Sequence, residues 1–218
     1  MKTVLNFNFG EEFVQSVRTA FPQLNLHLAY SEEAAVDACG DARILVGELT
    51  PAIFTAARQL EWHHYIGIGF NHFIDDIPGF ADGNLLMTNS RETHVIPMAD
   101  HVFACILAFA HCLPDQFKDQ QFRTFDGDKY LTSMRELAGS TMGILAMGDI
   151  GRAVAKRAQG FDMEVYGVDI AAMDPPPGVT AVWPVSRLDE MLAIADWLVI
   201  TAPLTNQTRD LIDAERLA

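Results

Sequence analysis

Residues 142–170, MGILAMGDIGRAVAKRAQGFDMEVYGVDI, decide the fold of this chain. Residues 142–146 form a short apolar run that predicts a buried strand. Residues 152–159 are rich in Ala, Lys and Arg and predict a helix, which Gly160 ends. Residues 163–168 predict a second buried strand, closed by Asp169. A strand, a tight turn, a helix and a strand of these lengths indicate one βαβ unit.

The turn inside this unit resembles the phosphate-binding fingerprint G-x-G-x-x-G. Gly148 stands where backbone approaches a pyrophosphate and Gly151 where the helix packs on the strand, while Ala146 replaces the first glycine. The helix N-terminus offers N–H groups and a positive dipole end to phosphate. Asp169 lies 18 residues after Gly151, close to the roughly 20 expected of an acid that binds a ribose diol.

We therefore predict a dinucleotide site with binding residues Gly148, Asp149, Ile150, Gly151 and Asp169. Asp169 would repel a 2′-phosphate, and residues 170–173 contain no Arg or Lys, which favours NAD(H) over NADP(H). A doubly wound domain that holds another ligand, or none, is the alternative that this pattern leaves open.

The composition excludes several classes of partner. Half of the 218 residues are hydrophobic, the formal charge is −14 and the pI is about 4.7. Nucleic acids and anionic membranes require a basic surface, so neither is expected as a partner. Cys39, Cys105 and Cys112 are scattered with no CxxC pair, which favours reduced thiols in a cytoplasm. The polar N-terminus does not resemble a signal peptide, and the apolar residues 95–113 include Pro97 and Asp100, so no membrane span is expected.

Strands and helices alternate along the first 94 residues and predict a parallel sheet with helices on its faces. The predicted strands are residues 4–9, 25–29, 43–46, 62–68 and 84–88, and the predicted helices are residues 11–20, 31–40 and 50–60. Ser31 is the expected first residue of the second helix, while Thr50 caps the third and Pro51 opens it.

The second half begins with a helix that is apolar on nearly every side, from Thr93 to about Leu113. Such a helix is expected to be buried, here between domains or subunits. Residues 116–137 are polar with interspersed aromatics and are interpreted as a packed linker. After Asp169 we predict a strand at residues 180–183, a helix at 186–195, a strand at 197–202 and a helix at 206–218, which completes half of a nucleotide-binding sheet.

Four stretches together resemble the D-isomer-specific 2-hydroxyacid dehydrogenase family. They are residues 142–169, and also GIGFNHFID at 67–75, TNSRETHVIPMADHVFACILAFAH at 88–111 and ADWLVITAPLTNQTRDLIDAERL at 195–217. The stretches follow one another in family order and cover nearly the whole chain. Departures from the family pattern are Ala146, Glu92 in place of glycine and Asp100 in place of glutamate.

The resemblance implies an α/β fold with a flavodoxin-like substrate domain over residues 1–94. An interdomain helix and an incomplete Rossmann domain, a doubly wound parallel sheet, occupy residues 95–218. It implies an NAD-dependent oxidoreductase acting on a small 2-keto or 2-hydroxy acid. The substrate carboxylate would bind the backbone N–H groups of Ile68 and Gly69, which suits an anion nest. Further cofactor contacts would come from Ala202, Pro203 and Thr208.

The resemblance assigns no catalytic residue to residues 1–218, because the family's catalytic Arg, Glu and His correspond to positions beyond Ala218. Two alternatives to a dehydrogenase stay open: a shortened, non-catalytic paralogue that binds a nucleotide or a partner subunit, and the product of a frameshift. The apolar helix and the open strand edges of a half-built sheet predict self-association, most simply as a homodimer.

No metal site is expected from the seven histidines. His63 and His64 are adjacent in a predicted strand and point to opposite faces. His94 and His101 lie two helical turns apart, and no acid or cysteine stands at ligand spacing. We expect these side chains at surfaces or interfaces, and Cys105 and Cys112 as inert thiols within the apolar helix.

Overall fold

A computed structural model describes residues 1–217. The chain divides into two compact units, Met1–Arg91 and Glu92–Ala218. Each unit contains one parallel sheet. The α/β fold class predicted from the alternation of strands and helices is therefore confirmed.

The first unit is a five-stranded parallel sheet in the order β2-β1-β3-β4-β5. This order is that of flavodoxin-like folds, in which the connections reverse direction between β1 and β3. The strands are β1 (Lys2–Leu5), β2 (Asn25–Leu28), β3 (Ile44–Val46), β4 (Trp62–Tyr65) and β5 (Leu86–Asn89). The helices are α1 (Glu11–Ala20), α2 (Glu32–Cys39), α3 (Pro51–Ala56) and α4 (Asn71–Asp76).

Local capping agrees with the sequence in this unit. The Ser31 hydroxyl accepts the Ala34 N–H at 3.2 Å, and the Thr50 hydroxyl accepts the Ile53 N–H at 3.3 Å. Helix α4 was not predicted, and β4 ends three residues earlier than expected. The chain leaves the sheet after Tyr65 because residues 66–70 form an irregular loop before α4.

The second unit contains a four-stranded parallel sheet in the order β8-β7-β6-β9. This is the strand order of one half of a Rossmann sheet with one further strand. The strands are β6 (Thr141–Leu145), β7 (Glu164–Asp169), β8 (Ala181–Pro184) and β9 (Trp197–Ile200). The helices are α5 (Val95–Ala110), α6 (Leu113–Gln121), α7 (Gly127–Leu131), α8 (Asp149–Gln159) and α9 (Leu188–Ile194), the last preceded by a 3-10 turn, Val185–Arg187.

Helix α5 is buried on one side only within its unit. Phe103 and Ile106 pack in a core shared with α8 and β6, whereas Ile96, Met98 and Phe109 are 58%, 45% and 68% exposed. Within its unit α5 is therefore covered on one side only, and the expectation that it is buried between domains or subunits stays a prediction. Its apolar outer side has no covering element in the described part of the unit.

Residues 116–137, interpreted as a packed linker, contain most of α6 and all of α7, two helices that were not predicted. Pro114 lies in the first turn of α6, and Asp126 caps α7 by accepting the Lys129 N–H at 3.3 Å. Proline is favoured in a helical first turn as well as after a helix. The predicted helix 206–218 consists of turns over residues 206–217, and Ala218 lies outside the described residues.

The turn conformation after β9 has a local cause. The hydroxyl groups of Thr205 and Thr208 hydrogen-bond nearby backbone groups, and Asp210 has a φ of 55°. Side-chain bonds of this kind compete with a helical ladder, and a positive φ interrupts it.

His63 corrects the expectation that the histidines lie at surfaces, because it is fully buried. Cys112 is not within α5 but precedes α6 with a φ of 55°, while Cys105 is exposed on α5.

Among residues 1–217, no group of three or more His, Cys, Asp or Glu is arranged to hold a metal ion. No single described helix is long and apolar enough to cross a membrane, and only α5 and α6 together, bent by 64°, reach the required length and composition.

Candidate functional site

The fingerprint turn between β6 and α8 is held in a strained conformation. Ala146 has a φ of 77°, a region that residues other than glycine rarely adopt. Its N–H donates to Val168 O at 2.8 Å, and its carbonyl accepts the Thr201 hydroxyl at 2.7 Å. Val168 in β7 and Thr201 directly after β9 thus fix the two peptide groups on either side of Ala146, and sequence reasoning missed Thr201.

Gly151 is required where α8 packs against this turn. A Cβ on Gly151 would lie 2.2 Å from Ala146 O, so no larger residue fits. Gly148 is the opposite case, because a Cβ there would meet nothing within 4 Å. The space above Gly148 is open for a ligand to approach the backbone.

The start of α8 suits a pyrophosphate. Its first-turn N–H groups, including those of Ile150 and Gly151, point out of the helix end, and no side chain caps them. Asp149 adds a carboxylate in the same first turn. Its negative charge interacts favourably with the positive end of the helix dipole but would repel a bound phosphate. The residues therefore fit an NAD pyrophosphate through backbone groups rather than side chains.

Asp169 ends β7 as predicted and also ties the turn together. Its Oδ2 accepts the Met147 N–H at 2.7 Å and its Oδ1 accepts the Ala171 N–H at 2.9 Å. Each carboxylate oxygen keeps acceptor capacity, so the half-buried carboxylate still fits a ribose diol. Residues 170–173 contain no Arg or Lys, but a cation from α8 lies beside them. The Arg152 guanidinium is 3.9 Å from Met173 Sδ, a contact that was not predicted from the sequence.

The structure brings Ala202, Pro203 and Thr208 together around one cavity of about 230 Å³. The Thr208 hydroxyl is already used in this loop, donating to Pro203 O at 2.5 Å and accepting the Thr205 N–H at 2.8 Å. Its direct role is to close the loop, and contact with a cofactor stays a prediction.

In the first unit, two successive peptides near Ile68 and Gly69 are aligned. The Gly67 carbonyl accepts the Ser90 N–H at 3.1 Å, and the Ile68 carbonyl accepts Asn89 Nδ2 at 2.7 Å. In a trans peptide the N–H is opposite the carbonyl, so the N–H groups of Ile68 and Gly69 both point away from β5. No acceptor for either occurs among residues 1–217.

Next to these peptides the loop after β3 is fixed by distant groups. The Asn6 side chain accepts the Glu48 N–H at 2.7 Å and donates to Glu48 O at 2.6 Å. Gly47, with a φ of 127°, donates to His64 O, and its carbonyl bonds His63 Nε2, both at 2.9 Å. A Cβ on Gly47 would lie 1.9 Å from Asn6 Oδ1, so only glycine permits this arrangement.

At this end of the sheet, the pKa values of two side chains are shifted from their usual values. Burial lowers the pKa of His63 from its usual value, and the hydrogen bond to Gly47 opposes that effect. Burial, followed by the negative charge of Glu48, raises the pKa of Tyr65. The Tyr65 ring lies against Gly67, where a Cβ would be 2.7 Å from the hydroxyl oxygen. Because Gly47 bonds to His64 and the Tyr65 ring lies against Gly67, Glu48, Tyr65 and the aligned peptides lie at the same end of the sheet, and sequence reasoning missed most of these residues.

Residues 103–218 match the family described as D-isomer specific 2-hydroxyacid dehydrogenase, NAD binding domain. D-3-phosphoglycerate dehydrogenase of Methanocaldococcus jannaschii is 25% identical over 86% of this chain and 36% of its own length. Glyoxylate reductase of Thermofilum pendens is 29% identical over 80% of this chain and 51% of its own length. The chain thus spans between about a third and a half of these two relatives.

Two solved structures are similar to this chain. A D-isomer specific 2-hydroxyacid dehydrogenase family protein of Aeromonas salmonicida is 26% identical, with a TM-score of 0.81 over 95% of this chain and 65% of its own. D-lactate dehydrogenase of Aquifex aeolicus, solved with NAD and lactic acid, shares the fold at 22% identity and a TM-score of 0.77, over all of this chain and 65% of its own. NAD, the cofactor predicted from the sequence, is the cofactor of the domain that residues 103–218 match. The chain belongs to the D-isomer specific 2-hydroxyacid dehydrogenase family.

Proposed function

We propose that the protein is an NAD-dependent oxidoreductase that interconverts a small 2-keto acid and its 2-hydroxy acid. The first unit holds the substrate carboxylate on the N–H groups of Ile68 and Gly69. The second unit holds the cofactor on the turn Gly148, Asp149, Ile150 and Gly151, on Asp169, and beside Ala202, Pro203 and Thr208. The observation that carries this proposal is the pair of aligned N–H groups at Ile68 and Gly69, with both preceding carbonyls engaged from β5.

Bound NAD would supply or accept the hydride. The residues of this chain bind and orient the substrate and the cofactor. An aligned N–H pair suits the substrate carboxylate, and the start of α8 suits the cofactor pyrophosphate. Negative charge develops on the substrate carbonyl oxygen during reduction, and a general acid contributes about 10²–10⁴-fold to such a step. The family resemblance assigns that acid to positions beyond Ala218, so catalysis is proposed for the whole protein and binding for this chain.

Binding of NADH to Gly148→Ala tests the cofactor half of the proposal. A Cβ at Gly148 meets no protein atom within 4 Å, so the variant should fold and yet obstruct a phosphate at the helix end. Calorimetry should show a loss of NADH affinity of about tenfold or more, the scale of one charge-assisted hydrogen bond. Gly40→Ala is the matched control, since its Cβ also meets nothing. Wild-type affinity in Gly148→Ala would contradict the assignment.

A non-catalytic paralogue that binds a nucleotide or a partner subunit is the second candidate. The strained Ala146 and the carboxylate of Asp149 favour it, because both disfavour tight cofactor binding. Reading the coding DNA past codon 218 distinguishes the two. A continuation that encodes Asn-x-x-Arg-Gly and a later Pro-His supports the dehydrogenase, whereas a stop codon without either supports the paralogue.

We also propose that the protein is a cytoplasmic homodimer. Large apolar side chains lie exposed on α5 and in the segment after it: Phe109, Phe117, Phe122, Phe125 and Leu131 are 61–90% exposed. Phe117, Phe125 and Leu131 line one cavity, and exposed apolar clusters of this kind mark protein–protein interfaces. Light scattering at micromolar concentration should give twice the mass of one chain, and a monomer at that concentration would contradict the proposal.

A further inference from the structure

The carboxyl edge of the first sheet is mostly anionic. Helices α1 and α2 begin at this edge, because each follows a parallel strand, and their first turns carry Glu11, Glu12, Glu32 and Glu33. The loop after β3 adds Glu48. Among residues 1–217, the loops that directly follow these five strands carry one cation, Arg91, which already interacts with another group.

Glu48 is the acid whose backbone is held by hydrogen bonds from a residue distant in the chain. In doubly wound sheets, ligands bind outside the carboxyl ends of the strands where the strand order reverses. Here that point lies between β1 and β3, and Glu48 is the second residue after β3. The Asn6 amide binds both the N–H and the carbonyl of Glu48, while Gly47 before it is tied to β4. Its backbone is therefore fixed, but its side chain is exposed.

The charge of Glu48 reaches the proposed carboxylate nest through Tyr65. Gly47, directly before Glu48, donates to the carbonyl of His64, directly before Tyr65, so Glu48 and Tyr65 lie at the ends of neighbouring strands. The Tyr65 hydroxyl lies over Gly67, whose carbonyl belongs to the first of the two aligned peptides. A small acid held at Ile68 and Gly69 would place its remaining atoms in this neighbourhood. A second anionic group on the substrate would then meet Glu48, and a cationic group would be attracted to it.

We propose that Glu48 selects the substrate by charge, favouring 2-hydroxy or 2-keto acids with a neutral or cationic group at C3 and discriminating against phosphorylated ones. The inference rests on the proposed function and narrows its substrate class. It separates this chain from the phosphorylated substrate in the name of its relative D-3-phosphoglycerate dehydrogenase.

Three acids that differ only at C3 test the proposal: D-glycerate with a hydroxyl, (R)-isoserine ((R)-3-amino-2-hydroxypropanoate) with an ammonium group, and D-3-phosphoglycerate with a phosphate. Each is titrated into the ¹⁵N-labelled chain at neutral pH and constant ionic strength, and the amide shifts of Ile68 and Gly69 report binding. Isoserine should bind at least about fivefold more tightly than D-3-phosphoglycerate, the upper range of one exposed charge pair.

In Glu48→Gln the affinity for isoserine should fall about threefold and that for D-3-phosphoglycerate should rise by a similar factor, while D-glycerate changes little. Asp37→Asn removes the same charge from an exposed position on α2 and should leave the order of affinities unchanged. Equal effects of Glu48→Gln on all three acids, or wild-type preference for D-3-phosphoglycerate, would overturn charge selection while the proposed function stands. Absence of any shift at Ile68 and Gly69 with all three acids would overturn both.

Discussion

Ala146→Gly should stabilise the second unit, although glycine usually weakens a protein. Ala146 has a φ of 77°, and an L-residue in the left-handed region costs about 1–2 kcal/mol. Glycine removes that cost but gives the unfolded chain more freedom, which opposes the gain by about 0.4–1 kcal/mol. The expected net gain in the free energy of unfolding is about 0.5–1 kcal/mol.

Urea unfolding followed by tryptophan fluorescence measures this change. In a Trp62→Phe background the remaining tryptophans, Trp183 and Trp197, report the second unit alone. Ala104→Gly is the matched control, because Ala104 is an exposed residue inside α5. Its substitution should lower the free energy of unfolding by about 0.5–1 kcal/mol.

The two substitutions should therefore shift the urea midpoint in opposite directions. If Ala146→Gly destabilises the second unit as much as Ala104→Gly does, the turn is not strained at Ala146 and the reasoning is refuted. Ala146→Gly should also leave the Thr201 hydrogen bond intact, because that bond is made to the Ala146 carbonyl and not to its methyl group.

Three further outcomes are expected. Calorimetry should show that the wild type binds NADH more tightly than NADPH, and tighter NADPH binding would contradict this expectation. Asp169→Ala should weaken NADH binding by about 1–2 kcal/mol, the scale of hydrogen bonds to a charged group. Because burial lowers the pKa of His63, the unfolded state takes up its proton first as pH falls below about 6.5, so stability should fall by up to about 1.4 kcal/mol per pH unit down to the folded pKa. His63→Gln should reduce the slope of stability against pH in that window, and an unchanged slope would show that His63 does not cause it. An absorbance assay should find that the 218-residue chain oxidises NADH no faster than background with glyoxylate, hydroxypyruvate or pyruvate, because the family resemblance assigns no catalytic Arg or His to residues 1–218. Robust turnover would mean that a residue such as His72, His94 or His101 serves as the acid.

Local patterns in the sequence were enough to predict much of the fold. Helix α1 was predicted at residues 11–20 and has the bounds Glu11–Ala20. Thr50 caps its helix as expected, and Ser31, predicted to be the first residue of its helix, is the residue that caps it. The βαβ unit around Gly148 and Gly151 was also predicted from residues close together in the chain. Periodicity, capping and turn residues act over a few positions, so a single sequence reveals them.

Positions decided by several competing local signals were predicted less well. Pro114 is compatible with both the end of one helix and the start of the next, and the structure uses it for the start of α6. Residues 206–218 were expected to form a helix, yet the hydroxyl groups of the threonines after β9 bind nearby backbone and hold the described part of this segment in turns. Small differences in free energy decide such cases.

The sequence by itself determined the class of fold, the family and the position of the turn between β6 and α8, because these depend on short-range patterns. Only the tertiary structure decided what holds the candidate sites in place. Asn6 binds Glu48 across 42 positions, Met147 binds Asp169 across 22, and Thr201 binds Ala146 across 55. Such bonds join the ends of neighbouring parallel strands, and strands adjacent in the sheet are far apart in the chain, so no local pattern records which side chains meet there.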